Sequence, residues 1–142
     1  MTAKQVIVIR KDLGMKKGKM TSQGAHSSLG VFLKMMNGGK TLHQQTPEIV
    51  NGKYTLSLEV EVGSGLDNWL RGIYRKITLA VQSETELLQI YEEAKQKGIP
   101  AFLVKDEGLT VFNGTKTNTC ICIGPYDSGA IDEITGHLPL MS

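Results

Sequence analysis

Lys19, Gln23 and His26 stand four and three residues apart, a spacing that sets side chains on one side of a helix. An ammonium, an amide and an imidazole in a row can hold an anion, orient a carbonyl and carry a proton. They follow a basic stretch, RKDLGMKKGK at 10–19, with five Lys or Arg and two glycines. A lysine-rich loop feeding a helix N-terminus joins positive charge to unsatisfied amides, which suits an anion. A second polar cluster, Asp106 and Thr110, brackets Gly108 just after an apolar run. A carboxylate beside a hydroxyl can take a proton from water. Each signal has a plainer counterpart: a solvated basic face, a histidine that only packs, and an Asx turn that only shapes a hairpin.

The charge is unevenly distributed. The net charge is +2, yet residues 1–40 carry eight basic residues against Asp12 alone, a net of +7. The remainder carries −5. Such a concentration points to phosphate or nucleic acid as partner. Few aromatic residues interleave with the basic loop, so the sequence gives no sign of base stacking.

Other chemistries are excluded. Gly39-Lys40-Thr41 ends like a mononucleotide P-loop, but Lys34 stands where its first glycine belongs. Gly14 and Gly18 are one residue too close together for the same motif. Neither G-x-S-x-G nor H-E-x-x-H occurs. Cys120 and Cys122 offer neither a disulfide framework nor a metal ligand set, so they read as strand filling in a chain of the reducing cytosol. The 142 residues are about one domain, with 40% hydrophobic and 21% charged residues, a globular balance. No apolar run reaches 18 residues, and the N-terminal one is only five long, which predicts neither a membrane span nor a signal peptide.

The elements that must position these residues alternate along the chain. Residues 5–9 (QVIVI) read as a buried strand and 10–19 as a loop. A helix is predicted over 20–36, with Ala25, Leu29, Phe32 and Met36 as its core stripe. Residues 54–62 (YTLSLEVEV) alternate as a half-exposed strand does, and 66–72 form a short helix. A strand at 76–81 precedes a helix opened by a Ser83–Glu86 capping box and closed at Gly98. Strands at 101–104 and 119–123 follow; Gly124-Pro125 is expected to end the last, and a helix at 128–134 completes the chain. The order predicts a single α/β domain whose sheet is mixed, mostly parallel and covered on both faces, with one of its last two strands antiparallel. Ligands gather outside the carboxyl ends of such strands, where the basic loop and the Asp106 turn both fall.

Four segments carry a resemblance. KKGKMTSQGAHSSL (16–29) is similar to the K-G-K-x-x-x-Q-x-x-H signature of the type-2 peptidyl-tRNA hydrolase family. KDEGLT (105–110) resembles its D-x-G-x-T turn, Thr119 with IGP (123–125) its T-x-x-x-I-G-P strand, and DEITGHLPLM (132–141) its D-x-x-T-G-x-L-x-L ending. The match spans roughly residues 5–36 and 76–141.

The resemblance implies a three-layer α/β/α domain with a mixed four-stranded sheet, often dimeric. It implies cytoplasmic, cofactor-free hydrolysis of the ester joining a peptide to tRNA. Lys17, Gln23, His26, Asp106, Thr110 and Thr119 match residues that line or approach the cleft. Lys17, with Asp106 and Thr110, is the principal catalytic candidate, and His26 a proton carrier. Lys19 shares with Lys17 the role of oxyanion or phosphate cation, and Gln23 orients water or carbonyl. Arg10, Lys11 and Lys16 would hold tRNA phosphates. The loop before Thr119 is about one residue longer than usual, so Thr117 is an alternative for its place. Residues 40–75 exceed the family's short connection, while Trp69-Leu70-Arg71-Gly72 resembles a feature of a bacterial branch. An RNA-binding domain without catalysis, or a hydrolase of a related non-peptidyl ester, are the alternatives.

Overall fold

The computed structural model describes residues 2–108 and 114–142. In chain order they form β1 (Ala3–Arg10), a 3-10 turn (Lys11–Leu13), α1 (Lys17–Met35), α2 (Gly65–Arg71), β2 (Lys76–Val81), α3 (Glu84–Gln96), β3 (Ala101–Asp106), β4 (Thr117–Asp127) and α4 (Ser128–Thr135).

The strands make one four-stranded sheet in the order β2-β1-β4-β3. β1 and β2 pair in parallel, whereas β4 runs antiparallel to both β1 and β3. Thus β1, β2 and β3 share one direction and β4 opposes them. The expectation of a mostly parallel sheet is corrected in one respect. β4 lies between β1 and β3, so only one neighbouring pair is a parallel ladder. The short β3–β4 connection forces that placement, because a parallel return needs a crossover of a dozen or more residues.

Alternation along each strand divides the core in two. Val6, Val8, Ile121 and Ile123 point toward α3 and α4, joining Leu87, Ile90, Ile131 and Ile134. Ile7, Ile9, Cys120 and Cys122 point the other way, toward Val31 and Met15. Both cysteines are fully buried and free, as strand filling requires. Burial pushes the Cys120 thiol up to about 11, and Cys122 higher still.

α1 packs over β4 and β3, but not by the face its large residues suggest. Leu29 is 57% exposed, Ala25 is also exposed, and Phe32 and Met36 are half-buried. The buried positions are Gly24, Ser27, Gly30 and Val31, a stripe rotated by about 100°, one residue. Small residues let the helix backbone approach the sheet closely. A Cβ at Gly30 would lie 2.4 Å from the Phe102 ring. α1 also begins at Lys17, three residues earlier than expected, which places Lys17 and Lys19 on the helix rather than in a loop.

Two further expectations change. Residues 54–62 form no strand. Leu56, Leu58 and Val60 are half-buried and the residues between them exposed, so the alternation is real, but among the described residues no strand pairs with it. β4 does not end at Gly124-Pro125; it runs on to Asp127. A shift in register between Lys4 and Val6 absorbs the bend. Gly124, at φ 91°, sits so near Lys4 that a Cβ would lie 2.6 Å from its carbonyl. The buried Gln5 amide closes this corner, donating to the Gly124 carbonyl and accepting from Ser28 Oγ.

The Ser83–Glu86 capping box read from sequence is present. Ser83 accepts from the Glu86 amide at 3.1 Å, and Glu86 Oε1 accepts from the Gln82 amide. In α2, Ser64 accepts from the Asp67 amide and Asp67 from the Gly63 amide. α2 docks through Trp69, stacked on Phe32 of α1 at 5.7 Å. No helix among the described residues is long and apolar enough to cross a membrane.

Candidate active site

α1 and β3 lie side by side and leave a cleft of about 520 Å³ between them. From α1 come Lys19, Gln23 and His26; from β3 come Phe102 and Asp106. The helical stripe and the Asp106 turn therefore converge, as their strand-end positions predict.

At one end Lys19 Nζ donates to Asp106 Oδ2 at 2.5 Å. The two side chains are 18% and 10% exposed. The other carboxylate oxygen accepts from the Gly108 amide at 2.7 Å. The Asx turn is thus real, and the same residue also serves the cleft. The Lys19 hydrogen bond is the largest influence on Asp106. It outweighs desolvation and, with the Gly108 amide, holds the carboxyl below the usual carboxylate range.

Next along the helix is Gln23. Its Oε1 accepts from Thr119 Oγ1 at 2.5 Å, which leaves the amino end of the amide as its donor group. Thr119 is fully buried, so it orients Gln23 and does not itself face a ligand. Thr117, the alternative for that place, turns its hydroxyl to the Thr115 carbonyl. His26 is exposed on the cleft wall, its ring 6.4 Å from that of Phe102.

Other candidates stand elsewhere. Lys17 is not brought to Asp106. Two residues before Lys19, it is turned about 200° round the helix. It lines a separate groove of about 460 Å³ with Ile7, Ile9, Met20, Thr78 and Met141. Arg10 is engaged internally: its guanidinium grips Asp12 through Nε and Nη2 and donates from Nη1 to the Asn118 carbonyl. Glu84 lies 3.5 Å from the same group. Lys11 and Lys16 are exposed near the start of α1. Thr110 lies outside the described residues. Among the described residues no three His, Cys, Asp or Glu converge as a metal site.

Among the cleft-lining residues that sequence reading missed, two carry rings, Phe102 and His43. Phe102 shares a strand face with Val104 and Asp106, so alternation could have found it. His43 also lines the cleft, from a turn after α1 that no periodicity marks. That turn is held by Asn37, whose amide donates to the carbonyls of Lys40, Thr41 and Gln45.

The cleft combines a held carboxylate, an ammonium, an oriented amide donor and an imidazole, the set that ester hydrolysis uses. The family described as peptidyl-tRNA hydrolase PTH2 matches residues 3–141. A peptidyl-tRNA hydrolase of Methanopyrus kandleri is 38% identical over 97% of this chain and 97% of its own. That of Methanocaldococcus jannaschii is 37% identical over 97% and 99%, and that of Methanothermobacter thermautotrophicus 38% over 97% and 99%. On a match of this extent, the chain belongs to the PTH2 family of peptidyl-tRNA hydrolases.

Proposed function

We propose that this chain hydrolyses the ester between a peptidyl, or N-blocked aminoacyl, group and tRNA, with Lys19 and Asp106 at the reacting centre. The observation that carries this is the Lys19–Asp106 pair, held at 2.5 Å inside the cleft beside Gln23. Water attacks the ester carbonyl and gives a proton to Asp106. The developing oxyanion is met by the Lys19 ammonium and the Gln23 amide. The carbon–oxygen bond to the ribose then breaks, and the proton passes from Asp106 to the leaving oxygen. A peptide carboxylic acid, which releases its proton to solvent as the carboxylate, and a tRNA hydroxyl result.

A carboxyl held below its usual range is a weak base, and the pairing resolves this tension. The main influence holding Asp106 ionised is Lys19. When the ammonium turns to the oxyanion, that influence weakens and Asp106 becomes more basic as the proton needs a home. His26, about 10 Å along α1 from Lys19, keeps a place as proton carrier on the resemblance, Thr110 keeps its place from the Asp106 turn and the resemblance, and Lys11 and Lys16 grip tRNA phosphates. Arg10, committed to Asp12, is a brace for the loop. The homodimer implied by the resemblance belongs to the proposal. The exposed apolar side of α1, with Leu29 57% exposed, supports it, and a monomeric mass in sedimentation would remove it.

The test is release of labelled N-acetyl-aminoacyl groups from tRNA. Wild type should turn over, and Asp106→Asn should lose nearly all activity while still binding tRNA. Full activity in Asp106→Asn removes that residue as the base. Salt-dependent tRNA binding with no turnover by wild type makes the chain a binding module instead.

A further inference from the structure

The cleft is longer than the ester chemistry needs. Lys19 and His26 are seven residues apart on α1, about 10 Å along the helix axis. One end holds the Lys19–Asp106 pair. The other holds the rings of His26 of α1 and Phe102 of β3, 6.4 Å apart, and His43 of the turn after α1 also lines the cleft. Phe102 is tightly seated against α1 at Gly30, where even a methyl group would collide with it. The Lys34 ammonium lies 5.9 Å from the centre of its ring. His43 is presented by a turn that Asn37 ties through three carbonyls. The sequence shows too few aromatics near the basic loop for stacking. The fold supplies them from elsewhere.

We propose that this far end of the cleft is a nucleobase subsite, which takes the base of the terminal nucleoside bearing the scissile ester, with His26, Phe102 and His43 as its walls. This rests on the ester-hydrolase reading and deepens it. A nucleoside spans the distance from its esterified ribose oxygen to the far edge of its base, so one end of the cleft places the ester and the other the base. Flat rings suit a flat, polarisable base, and imidazoles add polar edges that a purely aliphatic pocket would lack. His43 is then a specificity residue contributed by the middle segment, residues 40–75.

Two esters test this. One carries N-acetyl-alanine on the 3′ oxygen of adenosine; the other carries the same acyl group on a ribose without a base. Wild type should favour the adenosine ester by about tenfold or more in kcat/KM, the weight of one base on an aromatic face. His43→Ala and Phe102→Leu should bring the ratio toward one. His137→Ala, exposed after α4 and outside the cleft, should keep it. Equal rates of wild type on the two esters overturn the subsite, as does a full preference retained by both cleft variants. A rate that follows the amino-acid side chain and ignores the base gives that end of the cleft to the acyl group and likewise overturns it.

If wild type hydrolyses neither ester nor N-acetyl-aminoacyl-tRNA, the hydrolase reading fails separately. Binding then decides the subsite, with an amide-linked adenosine analogue that cannot turn over. About tenfold tighter binding than its base-free counterpart, lost in His43→Ala, upholds the subsite; equal affinity refutes it.

Discussion

Lys19→Met is the sharpest perturbation, because it removes the ammonium and leaves most of the stem. Among the described residues, Asp106 then keeps the Gly108 amide at 2.7 Å. A hydrogen bond to a charged group contributes about 1.5–3 kcal/mol. Both side chains are only 10–18% exposed, yet the cleft is open to water, so the lower half of that range is expected. For catalysis, loss of one oxyanion donor costs about 10²–10³ in kcat. Lys17→Met is the matched control. It faces the other groove, so its effect should fall on KM and lower the salt slope of tRNA binding by about one, with kcat little changed.

The same pair fixes a pH dependence. Asp106 is more acidic in the folded state than the ordinary carboxyl near 3.9. Its contribution to stability is therefore fully present above that ordinary value and is lost as pH falls through the lower, folded one. In Lys19→Met the main acidifying partner is gone and desolvation remains, so Asp106 protonates at higher pH. Urea midpoints of wild type and Lys19→Met should differ at neutral pH and converge in acid. Single-turnover release of N-acetyl-aminoacyl groups reads the catalytic half. A Lys17→Met enzyme that loses kcat while Lys19→Met retains it would refute the assignment, whatever the stability curves show.

Thr119→Val removes the donor that orients Gln23. It should lower kcat/KM by about tenfold, roughly the free energy of one hydrogen bond, with Thr119→Ser restoring most of it. Gly30→Ala sets a Cβ 2.4 Å from the Phe102 ring. Overpacking of about 1–3 kcal/mol should exceed the helix-propensity gain of about 1 kcal/mol, so thermal unfolding should show a lower midpoint. Cys120, pushed up to about 11, and Cys122, above it, are both fully buried. A disulfide reagent should leave both untouched until urea unfolds the chain, and fast labelling of the native protein would contradict that burial.

The strands were legible because their apolar runs are short, β-branched and closed by turn residues. Residues 76–81 and the Ser83 cap fall where periodicity puts them. The face of α1 was not legible for a definite physical reason. A search for large apolar residues finds Leu29 and Phe32, while the sheet is met by Gly24, Ser27 and Gly30. Close packing selects the smallest side chains, and these carry almost no periodic signal. The alternation at 54–62 was real as a burial pattern, but a strand needs a partner, and the sequence of one segment cannot supply it.

The site shows the same division between composition and phase. Lys19, Gln23, His26 and Asp106 could be named from the sequence because spacing along one helix and a turn after one strand are local facts. Choosing between Lys17 and Lys19 is not local. Both belong to one K-G-K triplet, and about 200° of helix separates their directions. Only the position of β3 decides which of them meets Asp106. The placement of β3 depends in turn on β4 lying between it and β1. The identity of the cation that pairs with Asp106 is therefore set by sheet order, through the residue of α1 that the neighbouring strand can reach.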